Sequence, residues 1–273
     1  PISSRAGTPK LRLILPMPDT ASIAGAPFVT QPQPFDSEML GRPVGRLGLP
    51  DGVPAADLVA MMPALAAGWR EGGFWLVSCR VAEIAGATAP GIGSALRHAG
   101  FRHVETLVTL TREIGREPTP LPDAIETGTP DDSEICAEIG AIALTTSRYN
   151  ADARIDPAAA SRLKAQWVRN AFAGRADAIL CARDSNGRAQ GFNLLLQRAD
   201  EAVIDLIAVA PAAQRRGFGR RLVMAGLAHY AGRARRMRVG TQAVNTASLA
   251  LYRACGFAEE HRAQTWHWIA DAA

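Results

Sequence analysis

The alternation of hydrophobic and polar positions is clearest in the second half of the chain. There it predicts two helices, three strands, a helix, a strand, a helix and a final strand. The helices are expected at 133–146, 157–173, after Gly219 and 246–254, and the strands at 178–182, 190–196, 202–209, 237–242 and 265–269. Asp156 before Pro157 is a helix-start signal, and Asn186-Gly187 predicts a hairpin turn.

The first half shows a weaker pattern, with helices expected at 54–67 and 93–99 and strands at 74–81 and 103–110. Residues 113–133 include four prolines and little apolar periodicity, which is typical of a linker. We therefore divide the chain into an N-terminal extension (1–30), an N-terminal domain (31–112), a linker (113–133) and a C-terminal domain (134–273).

One short segment occurs twice. ALRHAGF at 95–101 aligns with LYRACGF at 251–257, each with the pattern of a helix end, a glycine stop and a phenylalanine leading into a strand. The repeat indicates an internal duplication, with chance similarity of seven residues as the alternative. The first copy has Leu96 where the second has Tyr252.

Composition narrows the class of protein. The chain has 273 residues, 48% hydrophobic and 21% charged, which excludes wholesale disorder and coiled coil. No apolar run reaches 18 residues and no signal peptide is apparent, so we expect a cytoplasmic protein that does not enter membranes. The four cysteines lack C-x-x-C spacing, which favours buried thiols over disulfides or a metal site.

Charge is distributed unevenly. Between Leu206 and Ala258 there are nine arginines and no acidic residue, so this segment carries +9 although the whole chain carries only +4. Such a field indicates an anionic partner: a phosphorylated cofactor, nucleic acid or a membrane surface. Arginines 233–238 are expected to form a solvated face.

The loop 209–220, with sequence VAPAAQRRGFGR, combines a strand end, two glycines and the start of a helix. Free N–H groups and the positive end of the helix dipole make such a turn a site for pyrophosphate. Neither the Walker sequence nor the third glycine of a dinucleotide-binding loop is present. A plain strand-to-helix turn with solvated arginines is the alternative.

Two motifs resemble those of the GNAT N-acetyltransferases. Gln214-Arg-Arg-Gly-Phe-Gly219 after a strand ending in Val209 resembles the family's acetyl-CoA motif, and Asn245…Tyr252-Arg-Ala-Cys-Gly-Phe257 its later motif. Shorter stretches at 35–41, 147–150, 166–170 and 239–242 are similar to the bacterial dTDP-fucosamine N-acetyltransferases. The resemblance implies an α/β (α+β) GNAT fold: a mixed, mostly antiparallel sheet flanked by helices, preceded by a degenerate GNAT-like N-terminal domain.

The resemblance also implies roles for individual residues. Tyr252 would donate a proton to the departing CoA thiolate, with core packing as its alternative role; Asn245 would bind the pantetheine arm or cap the next helix. The expected acetyl-CoA contacts are Ile207, Val209, Gln214, Arg215, Arg216, Gly217, Phe218, Gly219, Arg220, Asn245 and Arg253. Acceptor contacts are expected from Arg148, Tyr149, Trp167, Asn193 and Gln242. No metal is expected.

The general base stays open among Asp205, His267 and a water relay, and alternation places Asp205 on the face of Ile207 and Val209. The expected function is acetyl transfer to a primary amine of a small molecule, such as a nucleotide-linked amino sugar, by a bacterial monomer or homodimer. Acetylation of protein N-termini or lysines is the alternative. Nucleic-acid binding is a weaker alternative, because few aromatic residues accompany the arginines.

Overall fold

A computed structural model describes residues 21–22, 28–50, 52–84, 87–88, 91–117 and 119–270. Most of the expected extension, 1–30, lies outside these residues. Phe28, however, is fully buried, and a strand covers Val29–Pro32. Part of the expected extension therefore belongs to the fold of the N-terminal half.

Eight α-helices and twelve strands are defined in the described residues. The strands are β1 Ala21–Ser22, β2 Val29–Pro32, β3 Val44–Gly48, β4 Leu76–Ile84, β5 Ala87–Thr88, β6 Arg102–Glu113, β7 Ile125–Thr127, β8 Ala178–Arg183, β9 Ala189–Arg198, β10 Glu201–Val209, β11 Arg236–Gln242 and β12 Ala258–Ile269. The helices are α1 Pro34–Leu40, α2 Ala55–Glu71, α3 Ile92–His98, α4 Ser133–Ala143, α5 Arg148–Ala151, α6 Pro157–Asn170, α7 Phe218–His229 and α8 Thr246–Ala254. No helix in the described ranges has the length and hydrophobicity needed to cross a bilayer.

The strands form one mixed sheet in the order β1-β2-β3-β4-β12-β6-β11-β10-β9-β8-β7, with β5 paired to β4. Among the described strands only β3–β4 and β10–β11 pair in parallel, so the expected mixed, mostly antiparallel sheet is confirmed. The order is nearly symmetric about the central pair. In each half a helix connects two parallel strands (α2 or α7), and a second helix (α3 or α8) leads to a long strand.

The long strands interlock the two halves. β12 from the C-terminal half lies between β4 and β6, and β6 from the N-terminal half lies between β12 and β11. The expected linker is not purely irregular, because β7 within it pairs with β8 at the far edge of the sheet. One continuous sheet therefore carries side chains from both halves to the same faces.

The repeated segment has the same geometry in both copies. Gly100 and Gly256 end their helices with φ values of +85° and +81°, a left-handed conformation that favours glycine. The amide of the following phenylalanine donates to the carbonyl five residues earlier, at 2.9 Å in the first copy and 3.0 Å in the second. The shared turn and the matching element order support an internal duplication.

Two layers of helices cover the sheet. On β9, Leu195 packs with α7 residues, whereas Phe192 and Leu194 pack with residues of α4 and α6. In the N-terminal half, Trp266 of β12 packs with α2 and α3, whereas Leu76 of β4 packs with α5 and α6 residues. Helices α2, α3, α7 and α8 thus lie on one face, called here the front face, and α1, α4, α5 and α6 on the other, the back face.

Candidate active site

The parallel strands β10 and β11 separate part-way along their length. They pair only from Glu201 and Arg236 to Ile204 and Val239, while β10 continues to Val209 against β9. The Ala210 amide points towards β9 and donates a hydrogen bond to the Gln190 carbonyl at 2.8 Å. By alternation, the peptide groups of Ile207 and Val209 point into the opened gap, where an extended chain can pair with them.

The glycine loop is shaped as a cradle of backbone donors. Arg215 and Gly217 both have positive φ, +62° and +83°, and Gly217 is the N-terminal cap of α7. Within the described chain, the six successive N–H groups from Arg215 to Arg220 have no hydrogen-bond acceptor; the next, of Arg221, donates to the Gly217 carbonyl at 3.1 Å. Successive free N–H groups at a helix start bind anions.

Gln214 is not one of the free backbone donors of the cradle. Its amide is 3.3 Å from the Pro211 carbonyl, and its side-chain Nε2 donates to the Val209 carbonyl at 3.2 Å. The free donors of the cradle therefore begin at Arg215. Gln214 links the cradle to the end of β10, which fixes the loop relative to the gap.

Acidic residues just outside the acid-free segment neutralise much of its charge. Asp200, Glu201, Glu259 and Glu260 form ion pairs with the arginines at 235, 236, 238 and 253. Arg233 and Arg235 are exposed and Arg236 and Arg238 are half-buried, so the expected solvated face at 233–238 also carries ion pairs. Arg215, Arg216 and Arg220 have no acidic side chain within 4.0 Å in the described chain, so positive charge is concentrated at the cradle.

Tyr252 lies on α8 with only 3% of its surface exposed. Its ring is 5.9 Å from that of Phe257, so part of its role is packing in the front-face core. Burial, and secondarily Cys255, raise the pKa of the Tyr252 hydroxyl above its usual value, which keeps the proton on the oxygen at neutral pH. A protonated phenol is the state that a proton donor requires.

Asn245 caps α8, its Oδ1 accepting from the Ser248 amide at 3.2 Å. The capping role is thus present in the structure. Its Nδ2 is 3.4 Å from Thr146 Oγ1, and that hydroxyl donates to Gln242 Oε1 at 3.0 Å. This chain of contacts joins Asn245 and Gln242 at the open end of the gap.

Arg148 and Tyr149 lie on the back face in a buried polar cluster. Arg148 Nη2 contacts Asp36 Oδ2 at 3.0 Å and the Tyr149 hydroxyl at 2.8 Å, and the Tyr149 hydroxyl donates to Asp36. Burial lowers the pKa of Arg148, but Tyr149 and Asp36 outweigh it and the net shift is upward. Burial raises the pKa of Tyr149. Trp167 borders this cluster, with the Lys164 ammonium 4.7 Å from its ring centre.

Asn193 does not lie with the other expected acceptor contacts. It is fully buried on β9 facing α7, and its Nδ2 donates to the Leu222 carbonyl at 3.0 Å. Arg148, by contrast, lies on the back face. The sheet therefore separates Asn193 from the polar cluster, so we do not carry it forward as an acceptor contact.

Asp205 lies on a different face of the sheet from the one expected by alternation. The β9–β10 register shifts between Ile204 and Leu206, and both Ile204 and Ile207 pack on the front face, so Asp205 and Leu206 face the back. A bulge breaks strict alternation, which is why the sequence pattern put Asp205 on the wrong face. Its carboxylate pairs with Arg175 at 2.5 Å.

His267, the other base candidate, is fully buried on β12. Its Nδ1 is 2.9 Å from Asp152 Oδ2, while its Nε2 has no partner among the described residues. Burial lowers the pKa of His267 although Asp152 opposes the shift. Burial works against ionisation of Asp152, but its hydrogen bonds from His267 and Arg154 lower its pKa overall. The pair is consistent with a packed, oriented histidine.

The back-face cluster contains residues that sequence reasoning missed, namely Asp36, Lys164 and Glu105. Lys164 carried a usable signal, since it lies four residues from both Ala160 and Val168 on the buried side of α6. Burial, and then Arg148, lower its pKa to about 8. No comparable sequence signal marked Glu105, because an acidic residue in a partly exposed strand is ordinary. Asp36 lies in the stretch 35–41, whose resemblance to other proteins indicated no role for it.

Comparison with known proteins finds a family that part of the chain resembles. Residues 137–257 match the family model described as Acetyltransferase (GNAT) family. This match covers less than half of the 273 residues and shows that 137–257 are similar to the GNAT acetyltransferases. Members of that family are acyltransferases. The matched range contains the opened strands, the cradle and Tyr252.

Other similarities extend beyond this matched range. The chain is 32% identical over 154 residues to the spore coat polysaccharide biosynthesis protein SpsD of Bacillus subtilis (strain 168). That alignment covers 54% of this chain and 51% of SpsD, so it spans about half of the relative's length.

Three solved structures share the fold over both halves. A GCN5-related N-acetyltransferase from Sphaerobacter thermophilus has a TM-score of 0.61 at 16% identity, covering 89% of this chain and 76% of that one. The corresponding enzyme from Kribbella flavida has a TM-score of 0.61 at 14% identity, covering 92% and 89%. A tandem GNAT protein from the clavulanic acid biosynthesis pathway has a TM-score of 0.57 at 15% identity, covering 85% and 77%.

Proposed function

We propose that the protein transfers an acetyl group from acetyl-CoA to the primary amine of a small molecule. The observation that carries this proposal is the cradle: six consecutive free N–H groups at the start of α7, beside unpaired arginines and next to the gap between β10 and β11. A pyrophosphate fits the cradle and an extended, amide-containing arm fits the gap. CoA joins these two chemical groups in one molecule.

In the proposed reaction the acceptor amine attacks the thioester carbonyl carbon, and the carbon–sulfur bond breaks with its electron pair going to sulfur. Backbone N–H groups of β10 facing the gap polarise the carbonyl oxygen. Tyr252 donates its hydroxyl proton to the thiolate. The proton lost by the amine passes to water, because the Asp205 carboxylate is paired with Arg175 and the unpartnered Nε2 of His267 is fully buried.

The remaining acetyl-CoA contacts follow from their positions. The pyrophosphate is held by the six free N–H groups of the cradle, those of Arg215, Arg216, Gly217, Phe218, Gly219 and Arg220. Ile207 and Val209 pair with the pantetheine amides. Asn245 binds the same pantetheine arm at the open end of the gap. Arg220 and Arg253 neutralise phosphate charge. Arg253 also forms an ion pair with Glu259, 3.6 Å away, so the phosphates compete with that carboxylate. Gln214 supports the loop rather than donating its amide.

A nucleotide-linked amino sugar is the first acceptor to test. SpsD is named for polysaccharide biosynthesis, and building such polymers requires activated sugars. The back-face cluster around Arg148, Tyr149, Trp167 and Gln242 lies on the side of the sheet opposite α7, so an acceptor there meets the thioester through the gap. We propose that the N-terminal half, which has Leu96 in place of Tyr252, is non-catalytic.

The test is calorimetric titration with acetyl-CoA followed by acetylation assays with dTDP-amino sugars, free amino sugars and N-terminal peptides. Micromolar binding of acetyl-CoA and turnover of a sugar amine support the proposal. Turnover of peptides alone favours the protein-acetylating alternative. Absence of acetyl-CoA binding by the folded protein contradicts the proposed function.

A further inference from the structure

A strip of polar side chains crosses the back face where the two halves of the sheet meet. It consists of Arg46 on β3, Arg80 on β4, Thr265 on β12 and Glu105 on β6. Alternation places them there, because neighbours such as Trp266 pack into the front-face core. The pairing register aligns Arg80 with Thr265 and Thr265 with Glu105, so the strip is continuous across three strands.

Glu105 has one oxygen fixed and one free. Its side chain is 4% exposed; Oε1 accepts from Thr265 Oγ1 at 3.2 Å and lies 3.5 Å from Arg80 Nη2. Its Oε2 is buried and has no partner among the described residues. A buried carboxylate oxygen without a donor is costly, so a donor supplied by a bound molecule stabilises it.

Glu105 lies near the end of β11 at which the gap between β10 and β11 opens. On β6, Leu107 pairs with Gln242, the last residue of β11, and Glu105 comes two residues farther along. Lys164 of α6 interacts electrostatically both with Glu105 and with Asp205 of β10.

Positive charge exceeds negative charge around Glu105. The charged groups that face Arg80 are Arg46, Glu105 and Arg148, with Tyr149 beside them. Burial lowers the pKa of Arg80, and repulsion from Arg148 and Arg46 lowers it further. Asp36 already pairs with Arg148, and Glu105 pairs with the half-exposed Arg80. Among the described residues, no acidic side chain lies within 4.0 Å of the exposed Arg46. Clustered guanidinium groups with one carboxylate bind anions.

We infer that this strip is the acceptor subsite and that the acceptor is an amino sugar bearing a phosphate group. Its ammonium donates to Glu105 Oε2, and its phosphate lies against Arg46 and Arg80, so the N-terminal half provides substrate recognition. The 3.5 Å contact between Arg80 and Glu105 means that amine and phosphate must lie within about one sugar ring of each other. The inference rests on the proposed function and specifies its acceptor.

The test compares glucosamine 1-phosphate with glucosamine, two ligands that differ only in the phosphate. Each is titrated calorimetrically into protein saturated with CoA, so that the cradle is already filled. We expect the phosphorylated sugar to bind at least tenfold more tightly than glucosamine. Arg46→Ala should reduce that ratio to below threefold, whereas Glu105→Gln should weaken both sugars at least tenfold while the Kd of CoA stays unchanged.

Arg162→Ala is the matched control, since Arg162 is an exposed arginine of α6 outside the strip. It should leave both sugar affinities unchanged. Equal affinity of the two sugars, an unaltered ratio in Arg46→Ala, or no binding of either sugar while CoA binds overturns the inference but leaves the proposed function standing. Failure of CoA itself to bind overturns both. Because Arg46 is exposed, its variant tests the inference even if Glu105→Gln does not fold.

Discussion

Replacing Gly217 with aspartate should abolish most of the affinity for acetyl-CoA without unfolding the protein. No heavy atom lies within 4 Å of a Cβ built at Gly217, so the side chain enters open space. The residue has φ +83°, which costs an L-residue about 1–2 kcal/mol. As a helix N-cap, aspartate is better than the glycine it replaces by only about 0.3 kcal/mol, so its capping contact offsets little of this cost. The unfolding free energy should therefore fall by roughly 1–2 kcal/mol, and the protein should stay folded.

The same capping contact removes the donors that the pyrophosphate needs. Losing one charge-assisted hydrogen bond costs about 1.5–3 kcal/mol, which corresponds to roughly 10- to 150-fold in Kd. Repulsion between the new carboxylate and the phosphates adds to this loss. We therefore expect the acetyl-CoA Kd of Gly217→Asp to rise at least tenfold, measured by titration calorimetry at fixed ionic strength.

Gly73→Asp is the matched control. Gly73 has φ +73° and equally open space, but it precedes β4 in the N-terminal half, and three strands (β12, β6 and β11) lie between β4 and β10 in the sheet. It should lose a similar amount of stability in thermal unfolding and keep wild-type affinity. An acetyl-CoA Kd for Gly217→Asp within about twofold of wild type would refute the assignment of the cradle.

Three further predictions concern the site and the back-face cluster. Tyr252→Phe should lower kcat roughly 100-fold or more and leave the calorimetric Kd of acetyl-CoA unchanged; equal turnover would remove the proton-donor role. Since the folded pKa of Lys164 is lowered to about 8 from 10.5, the unfolded chain binds the extra proton between these values, so stability should rise from pH 8 to 10.5. Lys164→Met should flatten that rise in urea unfolding, and an unchanged pH profile would contradict the cause given. Asp36→Ala should reduce unfolding free energy by about 3–5 kcal/mol by stranding Arg148, whereas a loss below 1 kcal/mol would show that water replaces the carboxylate.

Local pattern was sufficient for much of the C-terminal half. The helix after the glycine loop, the hairpin around Gly187 and the Asp156 cap all occur where expected, with Asp156 accepting from the amides of residues 158 and 159. Element ends were less predictable. The last strand begins at Ala258 rather than 265, because its first half is polar and exposed and so has no hydrophobic alternation. The short strand Val44–Gly48 was missed, since two glycines weaken its pattern.

The sequence by itself determined the cradle and the proton-donor candidate, because a loop and a helix segment carry their chemistry within a dozen consecutive residues. Only the tertiary structure decided which face each acceptor candidate occupies. Asp205 changed face through a bulge and Asn193 was separated from Arg148 by the sheet, and neither outcome follows from local spacing. The strip from Arg46 to Glu105 depends on β12 inserting between β4 and β6. Strand order of this kind is set by burial of distant residues against each other, so no local pattern along the chain contains it.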